Sequence, residues 1–364
     1  MKKERGRTIE LETLEEFDER VAAGATSMAG WHLQTLDLSE RGEDLRRLEA
    51  AGALFLGCSF ADGVEADLSV RGALIFPVVP DVPVNAYRGG LYSPQELYDG
   101  LGGSYENTPD ARIYAWSKQP SDLDISLAKA LHDHSVDDAL RDLVVGTDMV
   151  GMMGGHALQR GSAEYADAAR LAHALAGEDL LVCTGGGPGA MEAANLGAYL
   201  AGHDLDDLAA ALDLLAGTPG FRPSTTDWAR AAFAVLERWP DGNRSVGIPT
   251  WHYGHEPPNA FASSIAKYFK NAIREDILLH LCVAGIVFLP GAGGTVQEIF
   301  QDACENYYAD RATVAPMVLV GREYWTEVVP AWPLLRSLAQ GRAMEPVVHL
   351  VDDLDEVGPL LARR

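Results

Sequence analysis

The chain has 364 residues, 47% hydrophobic and 23% charged, which is enough for one large domain and a smaller one. Its 53 acidic and 29 basic residues give a formal net charge of −24. That charge argues against nonspecific nucleic-acid binding but leaves room for a local phosphate site. No signal peptide is recognised, and no apolar run reaches about 18 residues. We therefore expect a cytoplasmic protein with no membrane or nucleic-acid partner.

Residues 1–146 are predicted to form an N-terminal α+β accessory module. The pattern indicates helices at 11–22, 40–50 and 122–145, and short strands at Leu54–Gly57 and Ala73–Pro77. A turn-rich segment, Pro80–Asp99, lies between them. No internal repeat and no low-complexity tract is recognised in this part of the chain.

Residues 147–364 alternate between strand and helix patterns, which predicts an α/β fold: a doubly wound, Rossmann-like parallel sheet with helices on both faces. Residues 203–243 interrupt the alternation and are interpreted as a helical insertion. The predicted elements, in chain order, are strand Met149–Met153, helix Ala163–Ala176, strand Leu180–Cys183, helix Met191–Leu200, strand Ser245–Ile248, a long helix within Phe261–Cys282, strand Gly285–Leu289, helix Thr295–Tyr308, strand Pro316–Val320, a helix from Tyr324, a strand at Val347–Val351 and a closing helix.

A glycine-rich loop follows the second predicted strand and opens a helix, where glycines allow the backbone to approach a ligand closely. Its glycines are Gly185, Gly186, Gly187 and Gly189. A dinucleotide site needs an acidic residue after the next strand to bind ribose. The acids at that distance fall within the helical insertion instead, which disfavours NAD: Asp204, Asp206 and Asp207. A tight strand–helix turn without a ligand is the alternative.

A second glycine loop, Gly291–Gly294, follows the strand that ends before Pro290. The helix after it is predicted to begin at Thr295, so its free amides and positive dipole end suit a phosphate. Glu298, in the predicted first turn, would present a carboxylate beside that phosphate. The alternative is a capping box, in which Thr295 and Glu298 bond to backbone amides and no substrate is needed.

Arg274 lies on the predicted helix that precedes this loop, at the border of an apolar face defined by positions 261, 265, 269, 272, 273 and 277. It is either a partner of Glu298 or a residue that pairs with acids near Asp276 on its own helix or extends to solvent. His156 follows the first strand, at the sheet edge where ligands bind in open α/β folds, so it is either a contact to base or ribose or a structural loop histidine.

Another histidine segment, at 250–256, follows the third strand at the same edge of the sheet. His252 and His255 are too few for a zinc site, and stacking of Trp251 or Tyr253 on a base is the preferred interpretation. The four cysteines form no metal-type pair and are predicted to be reduced thiols, three of them in apolar or helical contexts: Cys58, Cys183, Cys282 and Cys304.

Both glycine loops resemble segments of the LOG (Lonely Guy), or "lysine decarboxylase-like", family. The family's Pro-Gly-Gly-x-Gly-Thr-x-x-Glu corresponds to Pro290–Glu298, with Ala292 in place of the second glycine, and Met191 aligns with the methionine of the family's first loop. The stretches around Arg274 and Glu298 are similar to the bacterial pyrimidine/purine nucleotide 5′-monophosphate nucleosidases. The resemblance covers about 147–320.

That resemblance implies hydrolysis of the N-glycosidic bond of a nucleoside 5′-monophosphate to free base and ribose 5-phosphate, without metal or cofactor. Glu298, expected to be ionised, would stabilise an oxocarbenium-like state, with Arg274 orienting it or contacting the phosphate. The implied family assembly is a homodimer or higher homo-oligomer. Substrate and phosphate contacts would come from Gly291, Gly293, Gly294, Thr295, Gly185, Gly186, Gly187, Gly189, Met191, His156 and, as a second acid, Glu192.

Two other functions stay open at this point. A non-catalytic sensor of a nucleotide or alarmone would use the same phosphate-binding loops, and an NAD(P) enzyme is the weaker alternative. The decarboxylase label would need a pyridoxal-bearing lysine, and it is disfavoured because Lys267 and Lys270 are expected on a helix surface or near the phosphate. The sequence leaves the preferred base open.

Overall fold

The computed structural model describes residues 9–120, 122–252 and 256–361, and the chain divides into two units. The first unit runs through Gly90 and adds Pro120–Ala139, while the second comprises Leu91–Gln119 and the chain from Leu140 onward. This differs from the expected module of residues 1–146, because 91–119 belongs with the glycine-loop unit. Backbone bonds explain the difference: Tyr92 and Ile265 exchange hydrogen bonds of 3.0 and 2.8 Å.

The first unit is a short solenoid, a structural repeat that was not recognised in the sequence. Four strands, Ile9–Leu11, Trp31–Gln34, Leu54–Leu56 and Leu74–Phe76, pair in parallel at register offsets of 22, 22 and 20 residues, and Asp37–Leu38 pairs with Ser59–Phe60. Such short coils of varied apolar residues give little sequence periodicity. The elements are β1 (Ile9–Leu11), α1 (Leu14–Ala22), β2 (Trp31–Gln34), β3 (Asp37–Leu38), α2 (Gly42–Arg47), β4 (Leu54–Leu56), β5 (Ser59–Phe60), α3 (Val64–Val70) and β6 (Leu74–Phe76).

The next segment carries α4 (Pro94–Leu97), α5 (Pro109–Ser117) and α6 (Leu123–Val144). Within the second unit, the part that carries α4 and α5 is held by the buried carboxylate of Asp110, which accepts hydrogen bonds from Lys267 Nζ at 2.6 Å and Trp251 Nε1 at 2.8 Å. Tyr105 donates a third. Lys267 is therefore buried, not on a helix surface as expected, and its burial lowers its pKa.

The second unit confirms the predicted fold: a seven-stranded, all-parallel sheet with helices on both faces. Among the described residues, no helix is both long and apolar enough to cross a membrane. The elements are β7 (Met149–Met153), α7 (Ala163–Gly177), β8 (Leu181–Thr184), α8 (Ala190–Tyr199), α9 (Leu205–Ala216), α10 (Thr225–Arg238), β9 (Val246–Gly247), β10 (Ser264–Ile265), α11 (Asn271–His280), β11 (Gly285–Phe288), α12 (Gly293–Tyr308), β12 (Met317–Val320), α13 (Ala331–Ala339), β13 (Val348–Val351) and α14 (Val357–Leu360), with a π-helical turn at Tyr324–Val328.

The strand order β10-β9-β8-β7-β11-β12-β13 places the topological switch point between β7 and β11. The chain winds outward in one direction from β7 and in the other direction from β11. Loops leaving the carboxyl ends of those two strands therefore diverge and open a crevice, which is where ligands bind in open α/β sheets. The fold itself thus directs attention to residues 154–156 and 290–294.

The long helix expected within Phe261–Cys282 is wrong in its first half. Asn259 Oδ1 accepts hydrogen bonds from the amides of Phe261 and Ala262, which holds the chain in a turn. The chain then forms the edge strand β10, and α11 begins only at Asn271. The apolar stripe used to define the helix was therefore misassigned, and Ile273, expected to be buried, is 39% exposed.

Gly197 sets the contact between α7 and α8, because a Cβ there would overlap the carbonyl oxygen of Ala169. Glycine-to-alanine inside a helix normally stabilises by about 1 kcal/mol. We expect Gly197→Ala instead to lower the free energy of unfolding by roughly 1–3 kcal/mol. Gly177→Ala, at the end of α7 with open space around it, is the control and should not destabilise. Urea denaturation measures both, and an unchanged Gly197→Ala midpoint would contradict this packing.

Candidate active site at the switch point

Three backbone loops meet at the carboxyl edge of the sheet. Gly155, after β7, donates its amide to the carbonyl of Pro290 at 3.1 Å, and its own carbonyl accepts from Ala190 N at 3.1 Å. The loops after β7, β8 and β11 are thereby fixed against each other. Between them lies a cavity of about 450 Å³, whose lining includes Gly155, His156, Gly185, Gly187, Met191, Pro249, Thr250, Glu256, Arg274, Glu275, Ala292, Gly293, Gly294, Thr295 and Glu298.

The first glycine loop needs its glycines for close packing. Gly186 has φ +72°, and a Cβ there would lie 2.6 Å from Pro249 Cδ; Gly189 has φ +75°, and its Cβ would lie 2.5 Å from the Gly155 carbonyl oxygen. Buried amide side chains hold the loop from below: Asn259 Nδ2 donates to the Gly187 carbonyl at 3.1 Å and to Asn195 Oδ1 at 2.9 Å. This loop is a rigid wall of the cavity, with Gly185 and Gly187 on its surface.

The second glycine loop differs from the capping-box alternative, which was wrong. Helix α12 begins at Gly293 with Ala292 as its N-cap, and no side chain caps it. Thr295 is a buried residue of the first turn, and Gly291 must lack a side chain because a Cβ would overlap the Thr295 hydroxyl. Gly293 and Gly294 are exposed and have open space beside them. Their amides are therefore available to an anion at the positive end of α12.

Ala292, which stands where the resembled pattern has a second glycine, is compatible with this loop. Its φ is −100°, a value that any L-residue adopts, and its side chain is exposed. The extra methyl group therefore leaves the α12 amides in place.

Glu298 and Arg274 meet at the base of the cavity. Arg274 Nη1 lies 3.6 Å from Glu298 Oε1, and Arg274 Nη2 lies 3.2 Å from Glu275 Oε1. One guanidinium thus serves two buried carboxylates. Within the described part of the chain, no group accepts a hydrogen bond from the buried Arg274 Nε. The Arg274 side chain is 12% exposed, so it does not extend to solvent, and it pairs both with Glu298 and with an acid of its own helix, Glu275.

The protonation of Glu298 also differs from expectation. Burial raises its pKa to about 8, with Glu275 adding to the rise and Arg274 opposing it. The sequence predicted Glu298 in the first turn of the helix, where the helix dipole favours an ionised carboxylate. In the structure α12 begins at Gly293, so Glu298 lies in the second turn, and burial determines the direction of its pKa shift. Asp302, one turn further along the buried side of α12, likewise has its pKa raised well above its usual range by burial. Burial therefore favours the protonated form of both of these α12 carboxyls.

His156 lines the cavity as expected, and the structure adds Glu256, which the sequence analysis missed. His156 Nδ1 lies 3.5 Å from Glu256 Oε1. Glu256 follows β9 at the carboxyl edge of the sheet, the position that singled out its histidine neighbours, and that position was the available signal. Glu275, adjacent to Arg274 on α11, was missed for a different reason: the misassigned helix face placed it away from the cavity.

Glu192, predicted as a second acid, does not line the cavity that holds Glu298. Its carboxylate forms a bidentate ion pair with Arg160, at 3.0 Å from Nε to Oε2 and with a second, shorter contact. Arg160 Nη1 also donates to Thr218 Oγ1 and the Trp228 carbonyl, both at 3.0 Å. This buried pair ties the helical insertion to the sheet, so Glu192 is structural.

Several other predicted contacts fall elsewhere. Trp251 is buried and stacked on Phe269 with ring centroids 4.7 Å apart, so it cannot stack on a base. Tyr253 and His255 lie outside the described residues. Asp204 caps α9: its carboxylate accepts hydrogen bonds from the amides of Asp206 and Asp207, so it is engaged within the insertion. Cys58, Cys183 and Cys282 are buried thiols and Cys304 is exposed.

Comparison with known proteins gives limited information. No protein-family model matches the chain, and no curated protein matches it. Two solved structures of the molybdenum cofactor carrier protein from Chlamydomonas reinhardtii are similar, at 18% and 19% identity with TM-scores of 0.35 and 0.33. Each match covers 59% of this chain and 94% or 97% of the other. A likeness this low carries no argument about function.

Replacing Glu298 by Gln should stabilise the protein increasingly as pH rises. The folded carboxyl has its pKa raised from 4.5 to about 8, so stability is lost as pH climbs through this window. We expect Glu298→Gln to be close to the wild type near pH 5 and to exceed its free energy of unfolding by roughly 3–5 kcal/mol at pH 9. The exposed Glu237→Gln is the control. Parallel urea curves at pH 5, 7 and 9 that show a constant difference would refute the assignment.

Removal of one partner of the Arg160–Glu192 pair should be costly, because it leaves a buried charge unpaired. We expect Glu192→Ala to reduce the free energy of unfolding by about 3–5 kcal/mol. The double variant Arg160→Met with Glu192→Leu removes both charges and should recover most of that loss. Thermal and urea unfolding of the three proteins test this. A loss below about 1 kcal/mol for Glu192→Ala would contradict a structural role for the pair.

Proposed function

We propose that the second unit is a hydrolase of the N-glycosidic bond of nucleoside 5′-monophosphates, releasing base and ribose 5-phosphate. One observation carries the proposal: a single cavity joins an uncapped helix N-terminus to a buried carboxylate paired with an arginine. The helix N-terminus suits the phosphate of a sugar phosphate, and the carboxylate suits its ribose ring. An anion binds at the α12 amides, and the carboxylate lies within reach of the sugar.

The phosphate is assigned to the amides of Gly293, Gly294 and Thr295, where exposed backbone and the helix dipole favour negative charge. Arg274 lines the same cavity, so its guanidinium can donate charge-assisted hydrogen bonds to a bound phosphate. Together these groups supply a cationic environment in a protein of strongly negative net charge.

Glu298 is assigned as the general base. As the C1′–N bond breaks, its electron pair leaves with the base, and positive charge develops on the ribose ring. A water molecule adds its oxygen to C1′ and gives a proton to Glu298. A base whose pKa of about 8 lies near neutral pH combines basicity with an accessible ionised form. The raised pKa therefore changes the expected role from a permanently ionised stabiliser to a base that titrates.

A non-catalytic nucleotide sensor is the second candidate, and the same pKa favours it. At pH 7 a carboxyl with a pKa of about 8 is roughly nine-tenths protonated. A neutral Glu298 can donate a hydrogen bond to a ligand without performing chemistry. The two candidates share the binding site and differ only in turnover.

The deciding experiment measures ribose 5-phosphate release from a panel of purine and pyrimidine nucleoside monophosphates. We expect the wild type to turn over at least one of them and Glu298→Ala to lose about 10²–10⁴-fold in kcat/KM. Because the ionised carboxylate is the active form, kcat/KM should rise roughly tenfold per unit up to about pH 8 and then level. Glu237→Gln should behave as wild type. Nucleotide binding by calorimetry with no release at any pH would establish the sensor instead.

A further inference from the structure

A second cavity, of about 490 Å³, adjoins the first and has no role in the account above. His156 and Glu256 line both cavities, so the two meet at this pair. The first glycine loop separates them: Gly187 faces the first cavity, and Pro188 and Gly189 face the second. A ligand whose phosphate binds at the α12 amides can thus extend into the second cavity.

The helical insertion builds the far wall of this second cavity. Phe221 and Arg222 lie in the loop between α9 and α10, and Trp228 lies in the first turns of α10. The Arg222 guanidinium lies 5.6 Å from the centre of the Phe221 ring, which packs edge-on against Trp228. This wall offers aromatic and guanidinium surfaces, the groups on which flat heterocycles stack.

The wall is firmly positioned. Arg160 lies over the Trp228 ring at 4.8 Å and is fixed by its ion pair with Glu192, and it bonds to the insertion at Thr218. Its backbone amide donates to the Pro219 carbonyl at 3.0 Å. The Glu192 carboxylate lines the second cavity but is already neutralised by Arg160. Glu256 is the remaining carboxylate in the lining, and its side chain is 38% exposed.

We propose that the second cavity is the subsite for the nucleobase and that it selects bases with an exocyclic amino group; this rests on the proposed function of the first cavity. The phosphate occupies the α12 amides, the ribose lies at Glu298, and the base stacks against Phe221. A carboxylate only accepts hydrogen bonds, so Glu256 pairs with an amino group and disfavours a carbonyl oxygen in its place. The insertion therefore determines base specificity.

The test compares AMP with ribose 5-phosphate, which lacks the base, by calorimetry in a Glu298→Gln background that prevents turnover. AMP should bind at least about tenfold more tightly than ribose 5-phosphate. Phe221→Ala should lower the affinity for AMP about tenfold and leave the affinity for ribose 5-phosphate unchanged. The control is Phe233→Ala, a half-buried phenylalanine of the same insertion that lines neither cavity; it should alter neither affinity.

Phe221 also packs on Trp228, so its replacement by alanine can disturb the fold. The exposed Arg222 is therefore replaced by alanine in a second variant, and the affinity for AMP, but not for ribose 5-phosphate, should fall about threefold. If the Phe221→Ala variant does not fold, the Arg222→Ala variant provides the test. Glu256→Gln should reduce the preference for AMP over IMP at least about fivefold. An unchanged preference would overturn the amino-group assignment.

The outcomes separate this proposal from the one on which it rests. Equal affinity for AMP and ribose 5-phosphate, or equal weakening of both by Phe221→Ala, overturns the base subsite even where the wild type releases ribose 5-phosphate. Phe221-dependent AMP binding without turnover in the wild type supports the subsite and refutes the hydrolase. Binding of neither ligand overturns both.

Discussion

Everything in the second unit depends on the contact of three loops at the switch point of the sheet. Gly155 bonds through its amide to Pro290 and through its carbonyl to Ala190, so the ends of β7, β8 and β11 form one rigid edge. Glycines are needed there because backbone meets backbone: a Cβ at Gly189 would come within 2.5 Å of the Gly155 carbonyl. This constraint leaves the first-turn amides of α12 at the surface of the cavity and puts Glu298 one turn below them.

The burial of Glu298 is the main electrostatic cost of the site. Arg274 is shared between Glu298 and Glu275, so it does not fully compensate either carboxylate, and the pKa of Glu298 rises. Such a conflict between burial and charge destabilises a protein and is typical of functional positions. The buried Asp302 on the same helix adds to it. By contrast, the Arg160–Glu192 pair is fully matched, as expected of a structural ion pair.

The insertion and the segment 91–119 are attached to the sheet by buried charged groups as well as apolar packing. Arg160 and Glu192 hold the insertion, and Asp110 with Lys267 holds the segment that precedes α6. Buried pairs of this kind specify where an added element docks, because misplacement would leave a charge unsatisfied. The Arg160–Glu192 pair thereby positions the aromatic wall of the second cavity, because Arg160 lies over the Trp228 ring.

The sequence by itself determined the doubly wound fold, most strand positions and both glycine loops, because strand–helix alternation and glycine turns are local signals. It also placed Glu298 and His156 at one edge, since parallel strands end together, whereas Arg274 was linked to Glu298 only by the family resemblance. Sequence reasoning failed where contacts between residues far apart in the chain determine the structure. The start of α11 depends on Asn259 and on pairing with β9, and the burial of Lys267 and Trp251 depends on Asp110, about 150 residues away. The pKa of Glu298 and the engagement of Glu192 by Arg160 likewise follow from desolvation and pairing, which exist only once the chain is folded.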